Sequence, residues 1–371
     1  MVSKKQSKEN ERTFTKRDAE IFGMLKTRQE VLEEIERDPE VSRGYQELTP
    51  ELRAEFVEFC MGVRGMKVTY DPVFKKVFSP VTHSERLEDF LSLCLGQKLT
   101  IIHTLPNESE RITEDGSLLV MDILVQLEDG SYVNVEIQRM GYLFPGARCA
   151  CYSSDLVMRQ YTQARAKSGK MFTYRDIKRV YSIGLIQKST EEFHRLPDEY
   201  LHHAKQVFDT GLEMDLVQEY LMIPLDIQKK CCQNRGISNK LDAWLYFISS
   251  ESPEDIREVI EAYPEFSEIY REVFRFRYQM KELMSMYSEA LKILDANTVN
   301  LMVELQQQKI AEQGAQLAAK DTQLKEQGAQ LKEQGAQLRE QSAQLKEQGV
   351  QLAEQQKQIA ELKALLAGKT I

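Results

Sequence analysis

The chain has 371 residues, of which 42% are hydrophobic and 29% charged, and its formal net charge is −9. This length accommodates two or three domains, and the acidic balance argues against coating nucleic acid by bulk charge while leaving a local basic surface open. No apolar run approaches the ~18 residues of a membrane span, and the charged N-terminus lacks the apolar segment of a signal peptide. Six cysteines without a CxxC pair or zinc-like spacing favour a reduced, cytoplasmic environment.

Residues 1–65 predict a flexible lead-in followed by a small helical preface. From position 19 onward, apolar residues recur at helical spacing and form one stripe: Ile21, Met24, Leu25, Val31, Leu32 and Ile35. Thr49 followed by Pro50 predicts the cap and first turn of a second helix, which continues through Phe56, Phe59 and Met61.

Residues 66–190 have the pattern of an α/β domain in which helices and strands alternate. The predicted order is helices at 72–79 and 84–95, β-rich runs at 98–104, 118–127 and 132–138, a long helix at about 146–167 and a strand at 179–187. Asp71 directly precedes the first helix, and Phe74 and Phe78 repeat at i, i+4, which predicts an N-cap and a packed apolar edge. Residues 191–303 are mixed, then mostly helical, and are interpreted as a supporting domain.

Residues 304–371 form a tail with a seven-residue repeat of the type KEQGAQL. Its leucines and one isoleucine fall on one phase: Leu317, Leu324, Leu331, Leu338, Leu345, Leu352, Ile359 and Leu366. This pattern predicts a heptad coiled coil and therefore a homo-oligomer. Gly328, Gly335 and Gly349 occupy the second seam position, where each glycine costs roughly 1 kcal/mol of helix stability relative to alanine. A solvated helix without a partner is the alternative.

The segment LLVMDILVQLEDGSYVNVEIQ, residues 118–138, predicts a β-hairpin with its turn at Glu128-Asp129-Gly130. A three-residue turn with Gly130 in the left-handed conformation places Asp122 opposite Glu136. Alternation puts Gln138 on the same face as Glu136. The opposite face is apolar and comprises Met121, Ile123, Val125, Val133, Val135 and Ile137.

Two carboxylates at cross-strand distance repel each other unless a hard divalent cation lies between them. Asp122 and Glu136 are therefore candidate ligands of Mg²⁺ or Mn²⁺. A bound cation of this kind can polarise a phosphate and lower the pKa of an attacking water, as phosphodiester hydrolysis requires. The ordinary alternative is that both acids lie on the solvated face of a hairpin.

The spacing Asp122-x13-Glu136-x-Gln138 resembles the D…ExK signature of PD-(D/E)XK nucleases, in the ExQ form of their transposase-like, recombination-promoting branch. YDPVFKKVFSP (70–80) resembles that branch's opening helix, and ARCACYSSDLVMRQYTQARAKSG (147–169) the helix after its hairpin. LDAWLYFI (241–248) and LDANTVNLM (294–302) resemble its C-terminal half. The resemblance covers roughly residues 66–303 and implies a restriction-endonuclease-like mixed sheet flanked by helices.

The resemblance also implies a catalytic set of Asp122, Glu136 and Gln138, in which the two acids bind metal. Two residues depart from the superfamily pattern: Met121 replaces the proline before the aspartate, and Gln138 replaces the lysine. A glutamine amide orients water or phosphate by hydrogen bonding but adds no positive charge.

Residues 139–182 are strongly basic and carry nine Lys and Arg residues against two acids, with aromatic residues interleaved. Five polar residues share one face of the long helix: Arg148, Tyr152, Asp155, Arg159 and Gln163. Such a stretch directly after a two-carboxylate hairpin suits contact with a phosphate backbone. The candidate DNA-binding residues are Lys75, Arg148, Tyr152, Arg159 and Gln163, and a solvated charged helix is the alternative.

Two functional hypotheses follow from the sequence. The first is a Mg²⁺- or Mn²⁺-dependent DNA endonuclease of the transposase-like, recombination-promoting type. The second is a catalytically degenerate DNA-binding or scaffold protein that assembles through its coiled-coil tail. Neither requires a membrane.

Overall fold

The computed structural model describes residues 23–105, 122–140 and 146–367. It divides into two compact units, one extending to Asn297 and the other beginning at Thr298. The first unit contains a six-stranded mixed sheet with helices packed on both faces, and the second continues a long helix.

Three helices precede the sheet: α1 (Arg28–Arg37), α2 (Pro39–Glu47) and α3 (Pro50–Met61). The predicted Thr49 cap is confirmed, because its side chain accepts a hydrogen bond from Leu52 N and Pro50 occupies the first turn. The helical stripe predicted from position 19 was wrong for Met24 and Leu25, which are not helical. Thr27 begins α1 with a capping box, so Val31, Leu32 and Ile35 lie on α1, and Asp38 caps α2 just before Pro39.

Residues Gly23 to Lys26 precede the Thr27 cap and are not helical, and Met24 is exposed. Ile21, also assigned to the stripe, lies outside the described residues. Helices α4 (Asp71–Val77) and α5 (Ser84–Leu95) then follow, close to the predicted bounds.

The sheet has the order β1-β2-β3-β4-β6-β5. Its strands are β1 (Ile101–Thr104), β2 (Ile123–Leu127), β3 (Tyr132–Met140), β4 (Val180–Lys188), β5 (His202–Lys205) and β6 (Gln218–Pro224). Strands β3, β4 and β6 run parallel to one another, and the other neighbours pair antiparallel. Helix α6 (Gly146–Ser168) joins the parallel pair β3 and β4. Because β6 is a neighbour of β4, residues 191–303 share one sheet with residues 66–190.

The remaining elements are helical. They are α7 (Glu191–His194), α8 (Leu225–Arg235), α9 (Lys240–Ser249), α10 (Pro253–Ala262), α11 (Phe266–Arg275) and α12 (Met280–Ala367). Among the described residues, no helix is long and apolar enough to cross a membrane. None of the six cysteines forms a disulfide.

The two faces of the sheet are both buried. One face packs Ile123, Val125, Val133 and Val135 into the main core, which also includes the preface helices and the C-terminal helices of the first unit. The other face packs against α6 in a smaller cluster: Leu124, Tyr132, Cys149, Tyr152, Leu156 and Val180. Side chains on the carboxylate-bearing face therefore lie beneath a helix rather than in bulk solvent.

The predicted hairpin is confirmed. Leu127 N donates to Ser131 O at 2.9 Å, Gly130 N donates to Leu127 O at 2.9 Å, and Gly130 has φ 85°. This is a three-residue turn whose last residue needs the left-handed region that glycine favours. Met121, assigned to the apolar face, lies outside the described residues, as do positions 118–120 of the predicted strand.

The tail is helical over its described residues, as the heptad pattern predicts. Within the second unit, its repeated apolar side chains are exposed, from 52% at Ile359 to 68% at Leu331 and Leu345. The helix is thus established in the single chain, whereas its assembly into a coiled coil remains a prediction.

Candidate active site

The hairpin brings Asp122 and Glu136 together at one end of the sheet. Ile123 pairs with Val135 and Leu124 with Asn134, so one further step places Asp122 opposite Glu136. The Asp122 backbone N–H donates to Glu136 Oε1 at 3.3 Å, and the Ile137 N–H donates to Asp122 Oδ2 at 2.8 Å. These bonds fix both carboxylates to the backbone of the opposite strand.

A third carboxylate and a lysine join them from α4. Lys75 Nζ lies 2.9 Å from Asp71 Oδ2 and 3.4 Å from Asp122 Oδ1. The cap predicted at Asp71 was wrong, because Tyr70 is the capping residue and Asp71 is the first residue of the helix. One turn separates Asp71 from Lys75, so both side chains reach the same side of α4.

The apolar side of α4 explains why these two polar side chains point to the hairpin. Val73, Phe74, Val77 and Phe78 are buried, and the Phe74 and Phe78 ring centroids lie 5.0 Å apart. The predicted packed edge is thus confirmed. With that edge in the core, the opposite side of the helix meets Asp122.

Both hairpin carboxyl groups are shielded from water. Only 5% of Glu136 is exposed, and 15% of the Asp122 side chain. The alternative of a solvated hairpin face was therefore wrong, because α6 covers that face. Burial, and then the negative charges of Glu136 and Asp71, raise the pKa of Asp122 well above its ordinary value.

Burial also raises the pKa of Glu136 to about 7, against opposing hydrogen bonds from Asn134 and the Asp122 backbone and the positive charge of Arg148. Burial alone would lower the pKa of Lys75, but the negative charges of Asp122 and then Asp71 outweigh it and raise that pKa. The cluster therefore has more carboxylates than nearby cations, and its two buried acids favour holding a proton when no further positive charge is present.

Gln138 lies two residues beyond Glu136 on the same face of β3 and is 7% exposed. An amide at this position can donate to a phosphate oxygen or accept from a water. Asn134, two residues before Glu136, was missed by sequence reasoning, although it shares the same alternation.

Helix α6 supplies two of the predicted DNA-binding residues to this end of the sheet. Arg148 donates to the hydroxyl of Tyr152 at 2.9 Å, and its guanidinium lies 5.4 Å from the Tyr152 ring centroid. Arg148 is exposed, whereas Tyr152 is 3% exposed and packs in the smaller core cluster. Both residues interact electrostatically with Glu136.

The other two helix residues lie farther along α6. Arg159 forms an ion pair with Asp155 at 2.8 Å, and Gln163 accepts a hydrogen bond from the Tyr132 hydroxyl at 2.7 Å. With a rise of about 1.5 Å per residue, Gln163 lies roughly 20 Å along the helix from Arg148. Lys75, Arg148 and Tyr152 therefore lie near the carboxylates. Arg159 and Gln163 lie farther along α6, nearer the hairpin turn.

The chemistry of the cluster fits a hard divalent cation. Asp71, Asp122 and Glu136 offer carboxylate oxygens, the ligands that Mg²⁺ and Mn²⁺ prefer, and Asp71 Oδ1 is buried without a hydrogen-bond partner. In the described ranges, no group of three or more Asp, Glu, His or Cys side chains is arranged so that it could hold a metal ion. Lys75 and the Ile137 N–H instead contact Asp122, so a bound cation would compete with Lys75 for its oxygens.

The first unit carries nearly all of the sequence similarity found for this chain. A family model described as PD-(D/E)XK nuclease family transposase matches residues 68–301, which is more than half of the chain and includes α4, the hairpin and α6. The mixed six-stranded sheet flanked by helices is the architecture that this resemblance implies. No curated protein and no solved structure matches the chain.

Proposed function

The chain belongs to the PD-(D/E)XK nuclease family transposases, and from this premise we propose that it is a Mg²⁺- or Mn²⁺-dependent DNA endonuclease of the recombination-promoting type. One observation carries the proposal. The register of the hairpin places two buried carboxylates side by side, and α4 adds a third with an oxygen that has no partner. Three carboxyl groups beside a single lysine carry excess negative charge, which is costly in a protein interior unless protons or a cation balance it.

Asp122 and Glu136 are the proposed metal ligands, and Asp71 is a further candidate for the same cation. Such a cation supplies polarisation of the scissile phosphate and activation of a water. Lys75 provides positive charge at the carboxylates, and the Gln138 amide positions water or a phosphate oxygen. Arg148 lies where a DNA backbone that reaches the carboxylates would pass, and the buried Tyr152 holds its guanidinium there by a hydrogen bond, while Arg159 and Gln163 extend the proposed contact along α6.

The direct test is nicking of supercoiled plasmid by the purified full chain with Mg²⁺ or Mn²⁺. We expect Asp122→Asn and Glu136→Gln to abolish both nicking and Mn²⁺ binding measured by calorimetry. Glu128→Gln is the matched control, because Glu128 is an exposed acid in the turn of the same hairpin. It should retain both properties.

Loss of nicking in the Glu128→Gln variant, or nicking by Asp122→Asn at the parent rate, would contradict the proposal. Circular dichroism and thermal melting of each variant separate a lost site from a lost fold. Because Asp122→Asn and Glu136→Gln remove buried charges while nearly preserving side-chain shape, and Glu128 is exposed, we expect all three variants to remain folded.

The second candidate function is a DNA-binding scaffold without cleavage, and the neutral side chain at Gln138 is the observation that favours it. In that case the chain would bind DNA in EDTA with the same affinity as in Mg²⁺, and neither metal would produce nicks. Assembly through the heptad tail would then be its main contribution.

A further inference from the structure

A cluster of three aromatic rings lies at the far end of α6 from the carboxylates. Tyr161 contacts Phe172 edge-on with centroids 5.3 Å apart, and it stacks with Tyr174 at 6.3 Å and an interplanar angle of 18°. Phe172 and Tyr174 meet at 5.3 Å. Tyr174 is 78% exposed, so the part of its ring that Tyr161 and Phe172 do not cover is accessible to a ligand.

Helix α6 and a short capped loop hold this aromatic cluster in place. Gln160 is 5% exposed and bonds both backbone groups of Lys178, accepting from its N–H at 2.7 Å and donating to its carbonyl at 3.2 Å. Asp176 accepts from Thr173 N at 2.9 Å and closes the loop between them. The rings are therefore presented on an anchored segment, and little ordering is required when a ligand stacks on them.

The surface around the rings is positively charged. Five exposed basic residues surround them in sequence: Arg165, Lys167, Lys170, Arg175 and Lys178. In the part of the chain that the structure describes, none of the five forms an ion pair. Asp176, the one acid between 161 and 179, is engaged in its backbone hydrogen bond. A net positive surface in a chain of net charge −9 is complementary to a polyanion.

Stacking rings beside unpaired cations are the features that bind single-stranded nucleic acid, because every base has a π-face and every nucleotide a phosphate. A duplex hides its base faces and would meet only the cations. We propose that the surface formed by Tyr161, Phe172, Tyr174 and the five basic residues, here called the ring surface, binds single-stranded DNA.

The ring surface is distinct from the proposed catalytic cluster. Thirteen residues of α6 separate Arg148 from Tyr161, which corresponds to roughly 20 Å along the helix. Binding at the ring surface does not require cleavage, so the two proposals can fail separately. A duplex with an unpaired tail could engage the ring surface with its tail and the carboxylate end with its duplex portion.

The test uses the full chain in EDTA, where metal-dependent cleavage is suppressed, and a fluorescein-labelled oligo-dT of about 16 nucleotides. Anisotropy gives its affinity, and a duplex of the same length is measured in parallel. Tyr174→Leu keeps an apolar side chain but removes the ring, and we expect it to weaken oligo-dT binding roughly 5- to 100-fold. Duplex binding should change less than about twofold, since base faces are hidden there.

Two substitutions control for the loss of the ring itself. Tyr174→Trp restores an aromatic face and should bind oligo-dT at least as tightly as the parent chain. Tyr278→Leu removes another exposed tyrosine, 59% exposed beside Lys26 and Arg277, and should leave both affinities unchanged.

The basic residues have a separate readout. The double substitution Lys170→Ala with Arg175→Ala should reduce the salt dependence of oligo-dT binding. The slope of log association constant against log salt concentration should become less negative by about 1.4, the value for two phosphate contacts. Photo-crosslinking with an oligomer of 5-iododeoxyuridine should label the peptide containing Tyr161 or Phe172 and Tyr174.

The proposal is overturned if Tyr174→Leu binds oligo-dT like the parent chain and no crosslink falls between residues 161 and 179. Equal loss of single-stranded and duplex affinity would overturn it too, since that result indicates backbone contact without stacking. Tighter binding of oligo-rU than of oligo-dT would overturn the assignment to DNA.

Discussion

Lys75 places positive charge beside Asp122, whereas Gln138 places a neutral amide on the neighbouring strand. We expect Lys75→Met to lower single-turnover cleavage roughly 100-fold, the scale of losing one group that stabilises charge in a transition state. Metal affinity should stay equal or rise, because Lys75 competes with a cation for Asp122 and Asp71. Isothermal titration with Mn²⁺ and quench-flow cleavage measure the two effects.

Lys76 is the matched control for this prediction. It is the next residue on α4 and forms an ion pair with Glu282, away from the carboxylates. Lys76→Met should leave Mn²⁺ affinity and cleavage unchanged. Weaker Mn²⁺ binding in Lys75→Met would show that Lys75 organises the site rather than competing within it.

Gln138 is the residue at which this chain departs most from the D…ExK pattern. Gln138→Ala should leave Mn²⁺ binding nearly unchanged and lower the cleavage rate by about 10- to 1000-fold, because one positioned hydrogen bond is lost. Gln138→Lys should retain activity. Single-turnover rates at saturating metal decide the matter, and an Ala variant as fast as the parent chain would make Gln138 a bystander.

Glu136 gives the fold a pH dependence whose sign follows from its pKa. Its pKa is raised from 4.5 to about 7 in the folded chain, so the folded state binds more protons than the unfolded state between these values. The stabilising contribution is complete below about pH 4.5 and is lost as the pH rises through about 7. In EDTA, Glu136→Gln should therefore gain stability relative to the parent chain on going from pH 5 to pH 8, by at most about 3 kcal/mol.

Urea unfolding of the parent chain and of Glu136→Gln at pH 5 and pH 8 measures the difference in their free energies of unfolding. Glu128→Gln, at an exposed position, is the control. If the two proteins differ in stability by the same amount at both pH values, the carboxylate pair does not hold a proton in the folded chain. Added Mg²⁺ should narrow the difference at pH 8, because a cation replaces the proton as the balancing charge.

Part of the site was predictable from local sequence and part was not. Asp122 and Glu136 are paired through a turn of three residues, so counting across Gly130 was sufficient to place them together. Asp71 and Lys75 lie about fifty residues earlier, and only the packing of α4 against the core brings them to Asp122. The sequence did identify Lys75 as a candidate DNA-binding residue, and its spacing of four from Asp71 was the signal that could have placed Asp71 on the same side of α4.

The hairpin turn is the element whose geometry sets the distance between the carboxylates. A Cβ at Gly130 would lie 3.1 Å from Lys178 Cγ at a backbone φ of 85°. Gly130→Ala should therefore destabilise the first unit by about 1 kcal/mol, from left-handed backbone strain and this contact. Because the turn fixes the register, the cleavage rate per folded molecule should also fall, beyond what the loss of folded protein explains.

Gly96→Ala separates these causes. Gly96 also has positive φ, 65°, but a Cβ at this position would have no atom within 4 Å, and the residue is the C-cap of α5 rather than part of the hairpin. The variant should lose stability in urea by a similar amount and keep its cleavage rate per folded molecule. Equal cleavage by the Gly130 and Gly96 variants would show that the turn does not control the site.

Among the helices and strands, the α/β order up to β4 was predictable, because the apolar residues of each element repeat with the period of a helix or a strand. The pairing of β5 and β6 with the sheet was not. His202–Lys205 is short and mostly exposed, and Gln218–Pro224 ends in a proline, so neither has a clear strand pattern. Strand β6 hydrogen-bonds to the edge of β4 that β3 does not cover, and β5 in turn pairs with β6.

For the whole molecule, the boundary between the two units predicts a division of labour. A truncation after Val303 removes the heptad tail and keeps the unit that contains the sheet and the carboxylates. We expect it to bind Mn²⁺ and nick plasmid like the full chain in excess DNA. Sedimentation should show that any oligomer of the full chain becomes a monomer.

Full-length protein with Leu324, Leu331 and Leu338 replaced by serine is the companion variant, since it keeps the tail but removes part of its apolar stripe. It should lose oligomers to the same extent as the truncation. A truncated chain that binds metal normally yet cleaves nothing would assign the tail a part in the chemistry.

The near-identity of the tail's heptads has a consequence for how copies could align. KEQGAQL occurs at 325–331 and again at 332–338, so two helices displaced by seven residues place the same side chains against each other. Such a helix has several almost equivalent overlaps with its partner and cannot define one of them by side-chain matching alone. Gain or loss of one heptad would change its length by about 10.5 Å and leave the leucines in phase. The tail can therefore behave as a spacer of adjustable length, whose span can vary without any change to the unit that carries the carboxylates.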